Sequence, residues 1–170
     1  MKKTKKIAST AIFIALYFIL SAIIKIPVAG HIALDLGYIA LTVSAVYLGG
    51  ISTMCVGGIA VLLESALMSQ KGVSPGWIVM NIIVGYICGT FMHKAAEKGT
   101  KKLIITSVIV VPSSMLLGVA AKTLIDCLIY NLALAAKLPT SFAAWALDSV
   151  VMLALGLPLS IALKKYGLKV

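Results

Sequence analysis

Lys122 and Asp126 stand four residues apart in KTLIDCLIYN, a stretch that ends at Asn131 and is set in otherwise apolar sequence. Glu64 in VLLESALMS and Asp148 in AAWALDSVV are two more carboxylates in the same setting, and Asn81 places an amide in GWIVMNIIVG. A charged side chain in the middle of a hydrocarbon layer costs about 3 kcal/mol even on the milder insertion scales, so each of these groups asks for a partner or a purpose. Together they offer hydrogen bonds and charge to a small polar molecule. Trp77, four residues before Asn81, and Trp145, three before Asp148, share a helical face with those polar groups and add flat surfaces on which a ring can stack.

Each feature also has a structural explanation. Lys122 and Asp126 at i and i+4 can neutralise one another along one helix, and both readings of the pair stand. The tryptophans also suit the aromatic belts at a membrane surface. His31 and Asp35 fit either a lid or a solvated turn and helix start.

The scaffold for these residues follows from composition. With 61% hydrophobic residues and a mean hydropathy of +1.10, the chain is far more apolar than a soluble domain, in which roughly half the residues are apolar. It reads as an all-α integral membrane protein. Its 170 residues, at roughly 20 per spanning helix, leave room for one transmembrane domain over 1–170. Apolar runs and their breaks predict six helices, over about 7–26, 36–49, 51–68, 75–93, 103–131 and 141–163. Gly49-Gly50 divides a run too long for one helix, Pro75 suits a first helical turn, and Pro112 predicts a kink. The basic N-terminus resembles a signal peptide, but its apolar run continues to Ile24 and reads as a retained first helix.

The net charge of +10 is a topology signal in such a chain. With six helices, Lys2, Lys3, Lys5 and Lys6, then Lys94, Lys98, Lys101 and Lys102, then Lys164, Lys165 and Lys169 fall on one side. Both termini are therefore expected in the cytoplasm of a bacterial cell membrane, with outer loops at 25–35, 69–74 and 135–140. All the polar candidates then lie in the outer halves of helices 3 to 6, which predicts a pocket opening outward.

Several functions are excluded or disfavoured. No arginine occurs, so the side chain best suited to bidentate readout of bases is missing and no nucleic-acid partner is expected. Cys55, Cys88 and Cys127 show no CxxC spacing and read as small buried hydrophobes. The chain has no phosphate-binding GxxxxGK[ST] loop, only His31 and His93 for histidines, and no histidine near Ser113-Ser114. It is not expected to be an enzyme or to hold a metal or cofactor.

The segments ASTAIFIALYFILSAIIKIP, IALDLGYIALTVSAVYLGG and GGIAVLLESALMS resemble the substrate-binding S component of an energy-coupling factor (ECF) vitamin transporter. The likeness lies in a second helix opened by L-D-x-G-Y and closed by small residues, then a glycine-rich third helix, and it extends over the whole length. It implies a membrane subunit that captures a water-soluble vitamin or related small heterocycle from outside with high affinity. It also implies a membrane coupling subunit and two ATPase subunits as partners, and toppling in the bilayer to release the ligand inward. The family's A-x-x-x-A contact with the coupling subunit falls on Ala11 and Ala15. Its binding region falls on Asn81, Lys122, Asp126, Asn131 and Asp148, with Glu64 at the edge. Three carboxylates against one lysine favour a ligand with an amine, a cationic ring or several hydrogen-bond donors. Two other functions fit the same polar residues: a solitary proton-coupled secondary transporter, and a membrane assembly protein that transports nothing.

Overall fold

The computed structural model of the protein describes residues 3–23, 25–29, 32–68 and 73–166. Lys2, His31, Lys169 and most of the expected loop at 69–74 lie outside the described residues. The described chain is helical apart from one hairpin. Its elements in order are α1 (Lys3–Ile23), β1 (Lys25–Ala29), β2 (Ile32–Asp35), α2 (Gly37–Leu48), α3 (Gly50–Met68), α4 (Pro75–Glu97), α5 (Thr100–Tyr130), α6 (Leu134–Val151), a π-helical segment (Met152–Gly156) and α7 (Leu157–Lys165). The last three run on as one helix, Leu134–Lys165, so six helical rods are counted.

Five of the six are long and apolar enough to cross a membrane. The exception is α2, whose 12 residues reach only about 18 Å at 1.5 Å per residue. Ten of those residues are buried, all but Ile39 and Tyr47. A helix apolar on every side belongs inside a bundle, and α2 packs against α1, α3, α4 and the π segment. In contrast, α1 is peripheral. Only 11% of its span is buried, through Tyr17 and Ser21, while Ile7, Ile12, Leu16, Ile19 and Ile23 stay exposed to the surroundings.

Several boundaries differ from the sequence expectation; α4 runs on to Glu97, past the expected 93, and α5 begins at Thr100, ahead of the expected 103. The first helix runs Lys3–Ile23, not 7–26, because the following residues pair as a strand. Pro27 cannot donate to a helical ladder and biases Ile26 towards extended backbone. The expected first outer loop is therefore an antiparallel hairpin, with Lys25 opposite Asp35 and Ile26 opposite Leu34, and an irregularity between Pro27 and Ala29. The expected third outer loop, 135–140, is helical, since α6 starts at Leu134 and carries Pro139 within it. Proline there removes the bond to the Ala135 carbonyl, and Ala135 is exposed, so the helix loses little by continuing.

Between α2 and α3 the chain turns at Gly49, whose φ of 79° suits a residue without a β-carbon. The last helix widens into its π segment where Gly156 lies against Thr42 of α2. α4 is the helix around which α3 and α5 assemble.

The two ends of the bundle differ. At one end the Lys164 ammonium donates to the Ala96 carbonyl, Tyr47 Oη donates to the Ser160 carbonyl at 3.0 Å, and His93 Nδ1 donates to the Val46 carbonyl at 2.8 Å. Here α1 and α5 begin, α4 and α7 end, and the lysines at positions 3, 5, 6, 94, 98, 101, 102, 164 and 165 are gathered. The opposite end holds Asp35, Glu64, Asp126 and Asp148.

Candidate functional site

At that opposite end α1, α3 and α5 finish while α2, α4 and α6 begin, so six elements contribute their terminal turns to one region. From α1, the Tyr17 hydroxyl donates to Asn81 Oδ1 of α4 at 3.2 Å. The Asn81 amide is held from its other side, since Nδ2 donates to the Trp77 carbonyl at 3.0 Å. One turn further along α1, Ser21 Oγ donates to Glu64 Oε2 of α3 at 2.5 Å. A hydrogen bond to a carboxylate is stronger than one between neutral groups, so this contact fixes the Glu64 side chain inside the bundle.

Asp35, at the end of β2, is buried, and its Oδ1 accepts from the Gly37 N–H at 2.8 Å. The carboxylate thereby satisfies one of the backbone donors left open at the start of α2. Tyr38 follows at once. Its ring meets Tyr17 edge-on, with centroids 6.1 Å apart and planes at 70°, the arrangement that aromatic quadrupoles favour. Trp77 and Asn81 flank Tyr38 from α4. From α6, the buried Asp148 lies near Asp35, Lys122 and both tyrosines.

Four of the residues singled out in the sequence, Glu64, Trp77, Asn81 and Asp148, thus meet in one place. Lys122 and Asp126 adjoin it as a closed ion pair, Nζ to Oδ2 at 2.8 Å, and a second lysine, Lys137 of α6, approaches the same Oδ2 at 3.8 Å. The other two residues lie differently. Asn131 is exposed at the end of α5, in a left-handed conformation with φ of 52°, a conformation asparagine tolerates well at helix ends. Its N–H bonds to the Cys127 carbonyl, so it serves the turn. Trp145 is half-buried, meets Phe142 at a tilt of 57° with centroids 5.1 Å apart, and donates from Nε1 to the Pro112 carbonyl at 2.9 Å. These contacts direct it at α5.

Sequence reasoning missed Tyr17, Ser21, Tyr38 and Lys137. Tyr17 and Ser21 carried a usable signal, for they are four residues apart on a helix whose other faces are aliphatic, and so share one side. Tyr38 was visible in LDLGY but was assigned no role. Lys137 fell in the stretch taken for a loop. As a whole the region supplies hydrogen-bond donors, acceptors and aromatic faces held on helix ends, the kinds of group that line small-molecule sites.

Comparison with known proteins agrees with that chemistry. No curated protein matches the chain. Among solved structures, the crystal structure of FolT bound with folic acid shares the fold, with a TM-score of 0.64, 21% sequence identity, and coverage of 90% of this chain and 92% of that chain. The family model described as "ECF-type riboflavin transporter, S component" matches residues 1–165. The chain therefore belongs to the S components of ECF-type transporters, and is a multi-pass membrane subunit that binds a vitamin-like substrate while the associated ECF membrane and ATPase subunits supply the energy.

Proposed function

We propose that this S component captures a flat, hydrogen-bonding vitamin heterocycle between the ends of α1 to α6, and that riboflavin, the substrate in the family's description, is the first candidate. The observation that carries the proposal is the meeting of Tyr17, Tyr38 and Trp77 with Asn81, Glu64 and Asp148 in one region. The aromatic side chains bound a ring, and the amide and carboxylates accept from its imide edge or from the hydroxyls of a ribityl chain. Lys122 stands at the margin, paired with Asp126.

The region opens to the outside in this proposal, and both termini are cytoplasmic in a bacterial cell membrane. The lysines gathered at the far end support that orientation, since cytoplasmic segments carry the excess of lysine and arginine. A reporter fused after Val170 tests it, and an active reporter of periplasmic type would overturn it.

Binding is tested on the purified protein in detergent, by quenching of riboflavin fluorescence on titration. Asp148→Asn and Asn81→Ala are expected to weaken binding by about tenfold or more, the scale of one lost polar contact, and to affect binding more than folding, although Asn81→Ala also lowers the unfolding temperature because the buried Tyr17 hydroxyl loses its acceptor. If both variants bind as the wild type does, the site is elsewhere. If riboflavin does not bind but another vitamin is released on solvent extraction, the substrate is revised and capture stands.

A further inference from the structure

We infer that Asp126 is a positioning residue that clamps the starts of α4 and α6 onto α5, and that it acts on capture through those helices. The inference rests on the proposed binding region, and it assigns Asp126 a role distinct from contact with the ligand.

One oxygen of this carboxylate is committed to two lysines, and the other faces the start of α4. The side chain is only 5% exposed, and Oδ2 holds Lys122 of α5 at 2.8 Å and Lys137 of α6 at 3.8 Å. Oδ1 has no hydrogen-bond partner among the described residues and is turned towards the first turn of α4. A β-carbon at Gly76 would lie 2.5 Å from Oδ1 and 2.9 Å from the Lys122 carbonyl. Glycine at position 76 is thus what lets α4 begin directly against this carboxylate, and a negative charge is favoured at the positive end of a helix.

Each arm of the clamp leads to the binding region. On α4 the next residue is Trp77, and Asn81 follows four later. On α6 the clamp at Lys137 is seconded one turn on by Ser141, whose Oγ lies 2.8 Å from Thr123 Oγ1 of α5. Asp148 comes seven residues after that, about 10 Å along the axis. A buried carboxylate that loses one of its partners is strongly destabilised, so the three helix ends are held as a unit.

The experiment has two readouts on the full-length protein in detergent, for Asp126→Asn, Lys137→Met, their combination, and Lys137→Arg. Hydrogen exchange measured with no vitamin added should rise about tenfold in 75–81 and 134–141 for Asp126→Asn, and in 134–141 for Lys137→Met, while Lys137→Arg restores the wild-type rate. With riboflavin as probe, dissociation should speed up about tenfold in Asp126→Asn with association unchanged, and the double variant should be no worse than Asp126→Asn alone. Unchanged exchange in Asp126→Asn overturns the inference, as does full additivity of the two substitutions on binding, which is the behaviour of a direct ligand contact. Failure of wild-type protein to bind riboflavin revises the proposed substrate and leaves the exchange result to decide the clamp.

Discussion

Ser21 Oγ on α1 donates to Glu64 Oε2 on α3 at 2.5 Å. With Tyr17, Ser21 is one of only two buried residues on α1, and both spend their hydroxyls on polar side chains of the candidate site. The helix most exposed to its surroundings is thus fastened to the bundle through residues that face the candidate site.

Replacing Ser21 with alanine removes that donor from a carboxylate that is 2% exposed. The expected loss is about 1–3 kcal/mol, the cost of withdrawing a partner from a buried polar group. Thermal unfolding of Ser21→Ala should register it, and riboflavin titration should show weaker binding, because Glu64 is no longer held in place.

Ala11 and Ala15 are both exposed on α1, one turn apart and on the side away from the bundle. Small residues at this spacing let another helix approach closely. Ala11→Trp and Ala15→Trp should therefore abolish co-purification with the ECF membrane subunit while ligand binding stays at the wild-type level. Loss of both properties together would point to misfolding instead.

Trp145→Phe keeps an aromatic ring against Phe142 but removes the N–H that reaches the Pro112 carbonyl. A net loss of about 1 kcal/mol in stability is expected, as for a typical hydrogen bond. If Trp145 supports α5 and not the ligand, riboflavin affinity should shift by no more than about twofold, well under 1 kcal/mol. A large loss of affinity with stability intact would return Trp145 to the binding site.

Gly156 sits where a β-carbon would come within 2.6 Å of Thr42 Cβ. Gly156→Ala should push the last helix away from α2 and cost about 1–3 kcal/mol, the usual range for overpacking. The fall in unfolding temperature measures it, and riboflavin binding should weaken as well, since Asp148 rides on the same helix.

Composition and the placement of polar residues were enough to identify the kind of protein. A chain with 61% hydrophobic residues belongs in a membrane, and its apolar runs could be counted as six helices because hydropathy is a local property. Glu64, Asn81 and Asp148 stood out for the same reason, since such groups are costly in an apolar run and need a purpose. Tertiary structure decided what those residues meet. Tyr17 and Asn81 are 64 positions apart and Ser21 and Glu64 are 43 apart, and no local pattern joins them; the packing of α1 against α3 and α4 does. The hairpin after α1 and the early start of α6 were hidden for a related reason. Pro27 and Pro139 both fall in stretches expected to be outer loops, yet one lies in a paired strand and the other in an exposed helical turn, where a missing N–H costs little. The opening pair, Lys122 and Asp126, was fully visible in the sequence. Its role was not, because that depends on Lys137 and Gly76, which only the folded chain brings alongside.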